Sequence, residues 1–393
     1  MGPTPRLALP LLALLAGCAG SSPPPPLTPR EAPRPILPPP PWQARLSEAE
    51  GYETKSISPQ PVVIRGATLM LATGRSIARG TIILDCGKIA VVAEGDLPAP
   101  AGAVVIDGSG KFVTPGLIDT HSHLGVYPMI GAAAHNDGNE MVEPLTPQAQ
   151  TVDAFWPQDP GIERAVAGGV TAIQVLPGSG NLIGGRAVTI KLRPATGTRE
   201  MHVPGAADGL KMACGENPKR VYGQKSGPST RMGNVAGFRD AFQKASEYQR
   251  SWARYSKDLA EWQAKQGEPP ATAEEGKGKD DKKPEPQPPA VDFGLQTIAA
   301  VLRGEILVHN HCYRADEMAI MLDLAATYGF KIRSFHHATD AYKIADKLAA
   351  AGTAASVWAD WWGFKAESFD GIRENAALLT QAGARAIIHS DSP

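Results

Sequence analysis

The stretch Phe112-Val-Thr-Pro-Gly-Leu-Ile-Asp-Thr-His-Ser-His-Leu-Gly125 reads as an apolar strand that ends in two histidines, His121 and His123. Side chains on a strand repeat every two residues, so both imidazoles project to one side. Two imidazoles on one side of a strand tip are suited to gripping a single transition-metal ion. The pair gains weight from histidines farther along the chain. His309 and His311 close a second apolar run, His336 and His337 a third, and His389 stands two residues before Asp391 in a fourth. Of the nine histidines in the chain, these seven fall where strands are expected to end, a concentration that scattered core histidines would not produce. Lys211 lies within a further apolar run, Gly209-Leu-Lys-Met-Ala213. Imidazole together with carboxylate suits Zn²⁺ and similar borderline metals.

Such residues need a frame that gathers strand ends. From Phe112 onward, apolar runs alternate with helical stretches, the pattern of a parallel α/β sheet. Eight strands are expected. The first ends at His123, and the next three are Val170–Leu176, Ala187–Leu192 and Gly209–Ala213. The last four are Ile306–His311, Lys331–His337, Ala355–Ala359 and Ala384–Asp391. Apolar positions recur at three- and four-residue spacing over Asp316–Tyr328 and Asp340–Ala351, which predicts helices there. This is an α/β chain, and eight such units predict a (β/α)₈ TIM barrel whose chemistry sits at the strand C-termini. Short β-rich runs broken by glycine between residues 62 and 110 predict a small antiparallel N-terminal sheet or β-sandwich. Residues 59–111 are assigned to that sandwich and 112–393 to the barrel.

Composition narrows the partners. Thirty-nine Lys and Arg against forty Asp and Glu leave a net charge of −1, and no basic face is concentrated enough to track nucleic acid. Arg6 followed by the apolar run Leu7–Leu15 reads as a targeting segment too short to span a bilayer. It ends in Leu15-Ala16-Gly17-Cys18, which resembles a bacterial lipobox and implies cleavage before Cys18 and acylation of its sulfur. Two or three acyl chains make a stable membrane anchor. The expectation is therefore a lipoprotein signal peptide over 1–17 and a lipid-anchored envelope protein. Ala19 follows the cysteine where an Asp favours inner-membrane retention, so the outer membrane, facing the periplasm or cell surface, is expected. Proline-rich residues 18–58 form an extended tether. The remaining cysteines Cys86, Cys214 and Cys312 are odd in number, and they read as buried small hydrophobes rather than a disulfide framework. A charged, proline-containing insertion at about residues 265–290 cannot bury apolar surface.

The run Val113-Thr-Pro-Gly-Leu-Ile-Asp-Thr-His-Ser-His-Leu-Gly125 resembles the strand-one signature of the amidohydrolase superfamily. Val105-Ile-Asp-Gly-Ser-Gly-Lys111 resembles the end of that superfamily's accompanying β-sandwich. Within it, residues 62–393 are most similar to the imidazolonepropionase-like branch, which includes prolidase-like dipeptidases. The resemblance implies zinc, as one or two divalent metal ions, with His121 and His123 as ligands of the first. It implies that Lys211 bridges two metals as a carboxylated lysine, because a free ammonium would repel a cation. His311 and His337 match the strand-five and strand-six ligands of the second metal, with His309 an alternative to His311. His336 points opposite to His337 along an extended strand and is expected to pack outside the barrel. Asp391 matches the strand-eight aspartate that ligates metal and serves as general base and acid. Tyr313, Arg314 and His389 are candidates to hold substrate, an arginine being suited to clamp a carboxylate.

The resulting expectation is a metal-dependent hydrolase. A metal lowers the pKa of water toward ~7, and the hydroxide cleaves an amide-type C–N bond in a dipeptide or cyclic amide. No His-Ala-Glu or His-x-Asp-Glu pattern follows the fifth strand, which disfavours a deaminase. The alternative is a non-catalytic, lipid-anchored envelope binding protein that retains the scaffold. The sequence is also compatible with a homo-oligomer. Two residues follow Asp391, so an apparently truncated barrel, lacking its last helix and the return of the sandwich, is expected.

Overall fold

The structure is a computed structural model that describes residues 60–391, except 130, 226 and 267–283. The expected signal peptide, tether and Cys18 lie outside the described residues, as does most of the charged insertion. The described residues divide into two compact units, at Pro115 and Gly116.

The first unit is a five-stranded sheet of β1 (Val62–Met70), β2 (Ser76–Asp85), β3 (Lys88–Glu94), β4 (Val104–Asp107) and β5 (Phe112–Val113). β1, β2 and β3 form an antiparallel meander, but β4 and β5 both pair parallel to β1, so the sheet is mixed rather than antiparallel as expected. Ala67, Leu69 and Ile82 are its buried centre. Phe112 and Val113, read as the start of the metal-bearing strand, belong to this sheet instead.

The second unit carries eight strands in sequential order: β6 (Leu117–Ser122), β7 (Val170–Val175), β8 (Ile183–Lys191), β9 (Gly209–Ala213), β10 (Leu307–Cys312), β11 (Ile332–His337), β12 (Ala354–Val357) and β13 (Ala386–Ile388). This is the nearly closed sheet of a TIM-type barrel, with one reversal. β8 runs antiparallel to both β7 and β9, whereas β6 pairs parallel with β7, and β9 to β13 are parallel throughout. The reason is chain length. A parallel return needs a crossover of a dozen or more residues, and only the loop Leu176–Leu182 joins β7 to β8. The glycine-rich turn Pro177-Gly-Ser-Gly-Asn181 therefore makes a hairpin at the rim where the other strands end. Gly185, at φ +118°, lets β8 pass Ala149, whose carbonyl would lie 2.5 Å from any Cβ there.

Helices supply the remaining crossovers: Pro160–Ala167 before β7, Phe293–Leu302 before β10, Ala315–Tyr328 before β11, Ala345–Ala351 before β12 and Asn375–Gln381 before β13. A helix of 36 residues, Arg231–Gln266, lies between β9 and β10. It docks through Phe238, Phe242 and Ala245, with Phe242 stacked on Phe330 at 4.2 Å. These residues join Leu210, Met212, Val308, Phe335 and Leu348 in one continuous core that holds β9 to β12 in place. Among the described residues, no helix is long and apolar enough to cross a membrane.

Candidate metal centre

β6 delivers His121 and His123 to the rim, and a carboxylate holds the turn after them. Asp159 caps the helix Pro160–Ala167 by accepting from Gly161 N, and it also accepts from Gly125 N at 2.8 Å and Met129 N at 3.2 Å. One side chain thus starts a helix and pins the loop after the histidine pair. His123 Nδ1 donates to the Leu176 carbonyl at 2.8 Å, which orients the ring with its Nε2 toward the site. That Nε2 stands 3.4 Å from His121 Nε2.

Asp391, from the other end of the described chain, closes on the same point. Its Oδ1 lies 3.1 Å from His121 Nε2 and 3.5 Å from His123 Nε2, and its Oδ2 lies 3.6 Å from His337 Nδ1. His121, His123 and Asp391 offer ligand atoms within 4.8 Å of one another, as do His121, His337 and His389. His337 and Asp391 both hold left-handed backbone, at φ 70° and 59°. Such conformations are costly for residues with a Cβ and cluster where function demands them.

Burial sets the charge state. It pushes His121, His311, His336 and His337 well below the ordinary imidazole value, His309 to about 3 and His389 to about 4. All are therefore neutral, the state in which an imidazole with a free nitrogen can ligate. Burial pushes Asp391 up, but His337, His123 and Lys211 outweigh it and keep the carboxyl below its usual range. His311 Nδ1, His337 Nδ1 and both ring nitrogens of His389 are buried without hydrogen-bond partners. Orphaned buried nitrogens are costly, and neutral imidazoles beside an ionised carboxylate are the donor set of a borderline divalent cation. The residues present fit such an ion.

The remaining candidates fall into different surroundings. His311 packs edge-on to His337, with ring centroids 4.6 Å apart, and its Nε2 faces Asn217 Nδ2 at 3.4 Å. Tyr313 stacks on His337 and carries Lys365 Nζ over its ring at 4.2 Å; burial first, then Asp391, raises its phenol well above the usual value. Lys211 is fully buried, donates to the Pro177 carbonyl at 2.9 Å, and is pushed by burial down to about 8. It joins neither ligand group. Arg314 is held bidentately by Asp316, at 2.9 Å on each arm, and its ion pairs are with Asp316 and Glu317 rather than the imidazoles.

Two expectations are corrected. His336 does not pack outside the barrel: it is fully buried, with its Nδ1 2.8 Å from His121 Nδ1. Alternation of faces holds only while the backbone is extended, and the left-handed turn at His337 lets successive histidines share the interior. Cys214 and Cys312 are not separate small hydrophobes but form a disulfide between the tips of β9 and β10. Sequence reasoning also passed over Gln174, Asn217, Trp358 and Lys365. Trp358 stacks on His337 at 4.6 Å and donates to the Ser390 carbonyl at 3.2 Å. The available signal for Gln174 was an amide inside an otherwise apolar strand.

Comparison with known proteins adds to this geometry. No family model matches the chain. A solved amidohydrolase from Thermotoga maritima MSB8 is 35% identical, with a TM-score of 0.72, over 84% of this chain and 79% of that one. An amidohydrolase of Hapsidospora irregularis is 34% identical over 342 residues, which is 80% of this chain. That match covers 32% of that protein, so the chain spans about a third of that relative's length. An imidazolonepropionase of Idiomarina loihiensis is 46% identical over 63 residues, 16% of this chain and 15% of the relative.

Proposed function

The chain belongs to the amidohydrolase family, and from that premise we propose that it hydrolyses an amide-type carbon–nitrogen bond in a small substrate, a dipeptide or a cyclic amide, using one or two divalent cations, zinc first among them. The observation that carries this reading is the convergence, from the tips of β6, β11 and β13, of two ligand groups that share His121: His121, His123 and Asp391, and His121, His337 and His389. A divalent cation held by these residues would lower the pKa of water toward ~7 and polarise a carbonyl bound beside it. Asp391 stays ionised, so it accepts the proton of the attacking water and returns it to the leaving nitrogen. Beside His123 a cavity of about 250 Å³, lined in part by Tyr127, Asn139, Asn217 and Arg220, suits a substrate of dipeptide size.

Lys211 and His311 complete a second cation site in this proposal. Lys211 enters it as a carbamate, and an amine pushed to about 8 reaches the neutral form that reacts with carbon dioxide near physiological pH. Tyr313 remains a protonated hydroxyl and, with His389, faces the substrate. The lipobox-like segment puts the mature chain on a bacterial envelope membrane through Cys18; palmitate incorporation that persists in Cys18→Ser would contradict this. The hydrolase reading is tested by metal analysis of the purified full chain and by hydrolysis of a panel of dipeptides and cyclic amides. One to two equivalents of zinc are expected, the second dependent on bicarbonate, with hydrolysis abolished by chelation. A protein holding well below one equivalent and cleaving nothing in the panel would overturn it.

A further inference from the structure

Behind the metal-facing side of His121 runs a string of three imidazoles ended by an amide. His121 Nδ1 lies 2.8 Å from His336 Nδ1, His336 Nε2 lies 3.0 Å from His309 Nδ1, and His309 Nε2 lies 3.1 Å from the Gln174 side-chain nitrogen. The four residues sit on β6, β11, β10 and β7, so the string crosses the barrel interior. His121 and His336 are fully buried and His309 nearly so. Both nitrogens of His336 and of His309 face only imidazole or amide partners, with no carboxylate hydrogen-bonded to either ring, and a neutral imidazole carries one proton on one of its two nitrogens.

That condition permits only two self-consistent registers. In the first, the Gln174 amide donates to His309 Nε2, His309 Nδ1 donates to His336 Nε2, and His336 Nδ1 donates to His121 Nδ1. His121 must then carry its proton on Nε2, where Asp391 Oδ1 accepts it at 3.1 Å. In the second, every hydrogen bond is reversed. His121 Nδ1 donates to His336, the string ends on the Gln174 carbonyl oxygen, and His121 Nε2 is left bare beside His123 and Asp391. Each ring keeps one proton in both registers, so the net charge does not change. A mixed register would set two donors or two acceptors face to face inside a dry core, at the cost of an unmade buried hydrogen bond. The observed amide nitrogen toward His309 belongs to the first register. A half-turn of the Gln174 amide, which preserves its shape, selects the second.

We propose that His336, His309 and Gln174 are positioning residues that set the tautomer of His121, so that the orientation of a distant amide decides whether the site presents a donor to Asp391 or a lone pair to a cation. The cation half of this statement rests on the metal-centre reading; the tautomer half stands on the string alone. Ring-¹⁵N histidine labelling of the full chain, read by ¹H–¹⁵N NMR, is the test. In metal-free wild type, His121 is expected protonated at Nε2 and His336 and His309 at Nδ1. Gln174→Glu, whose carboxylate only accepts, is expected to reverse all three; Gln174→Lys, which only donates, is expected to lock them. Chelator competition for Co²⁺ should then place Gln174→Glu tighter and Gln174→Lys weaker than wild type, each by about tenfold, the lower range for partners of metal-ligating histidines. His121 protonated at Nδ1 in the metal-free wild type, or equal shifts in both variants, would overturn the proposal. A wild type that binds no Co²⁺ but shows the expected tautomers would overturn the cation half alone. Should either variant fail to fold, the wild-type tautomers still decide.

Discussion

Two buried polar clusters sit at neighbouring strand tips of the barrel, and they are built on opposite principles. Around Gly215, Glu317 accepts from Gly215 N at 2.9 Å and from Arg231 Nε at 2.6 Å. Glu367 accepts from Glu216 N at 2.9 Å and Arg231 Nη2 at 3.0 Å, and its other oxygen faces Lys365 at 3.3 Å. Gly215, at φ +79°, admits Glu367 to a place where a Cβ would stand 2.6 Å from its oxygen. Every charge there stands beside an opposite charge or a backbone donor, although Glu367 Oε1 makes no hydrogen bond and is held by its ion pair with Lys365 alone. The imidazole cluster instead keeps orphaned nitrogens and two left-handed residues. A cluster whose charges are paired holds a fold together, while one that leaves several buried nitrogens unmade is shaped for something that arrives later.

The sharpest way to break this contrast is to remove one member from each side. Asp391→Asn keeps the volume but removes the charge, and is expected to lower hydrolysis by ~10²–10⁴-fold, the range for a lost general base, with little change in melting temperature. Arg231→Met leaves Glu317 and Glu367 buried without their shared cation. It is expected to destabilise the protein by about 1–3 kcal/mol, the partial exposure of Arg231 keeping it below the figure for a fully buried pair, while the folded enzyme still turns over. Thermal denaturation and steady-state kinetics on both variants decide. A stable but inactive Arg231→Met would show that the two clusters are one site.

The disulfide links the two regions directly, because Cys214 precedes Gly215 and Cys312 follows His311. It closes a loop with a sequence separation of 98, for which chain-entropy reasoning gives about 4.7 kcal/mol. Cys312→Ser or reduction is therefore expected to lower the melting temperature markedly. It should also weaken cation binding, since the tip that carries His311 loses its tie to β9. Loss of stability with cation affinity unchanged would assign the bridge to the charge-paired side alone.

Acid should distinguish the clusters by sign. His309 and His389, pushed by burial to about 3 and about 4, stay neutral in the fold while the unfolded chain takes up protons below about 6.5. Where the unfolded state binds more protons, stability falls as pH falls, so this contribution is lost between pH 6.5 and 4. Glu367 runs the other way: burial raises its carboxyl above 4.5, so the native state holds that proton longer and gains as pH falls through that range. With seven lowered imidazoles against two raised carboxyls, those of Asp119 and Glu367, the metal-free protein is expected to lose melting temperature steadily from pH 6.5 to 4.5. His389→Gln should show a shallower decline. A flat profile would mean that the rings are already charged in the fold.

How much of the fold and site is legible in the sequence depends on the assumption behind each rule. The pair His121 and His123 was legible because a two-residue repeat fixes their common side wherever the strand runs. The direction of β8 was not, since Ala187-Val-Thr-Ile-Lys-Leu192 is the same apolar run in either sense; only the shortness of Leu176–Leu182 carried the answer. His336 was misplaced because alternation fails at a left-handed residue. Gln174 acquires meaning only from the register that stacks β6, β7, β10 and β11, which no local pattern encodes. The disulfide was hidden by counting cysteines along the chain, whereas the pairing of His311 with Ala213 across β9 and β10 brings Cys214 and Cys312 together.

Arg314 offers the smallest and most discriminating change. As a sequence candidate it would clamp a substrate carboxylate, yet in the fold its guanidinium is taken up by Asp316 and its side chain is 44% exposed. An exposed pair of this kind contributes ~0–1 kcal/mol, even with bidentate geometry. Arg314→Ala is therefore expected to shift stability by no more than that and to leave KM for every cleaved substrate unchanged. If KM rose tenfold for substrates with a free carboxylate and not for neutral amides, Arg314 would have to release Asp316 on binding. The charge-paired region would then extend to the substrate, and pairing in the free protein would no longer separate structural charges from functional ones.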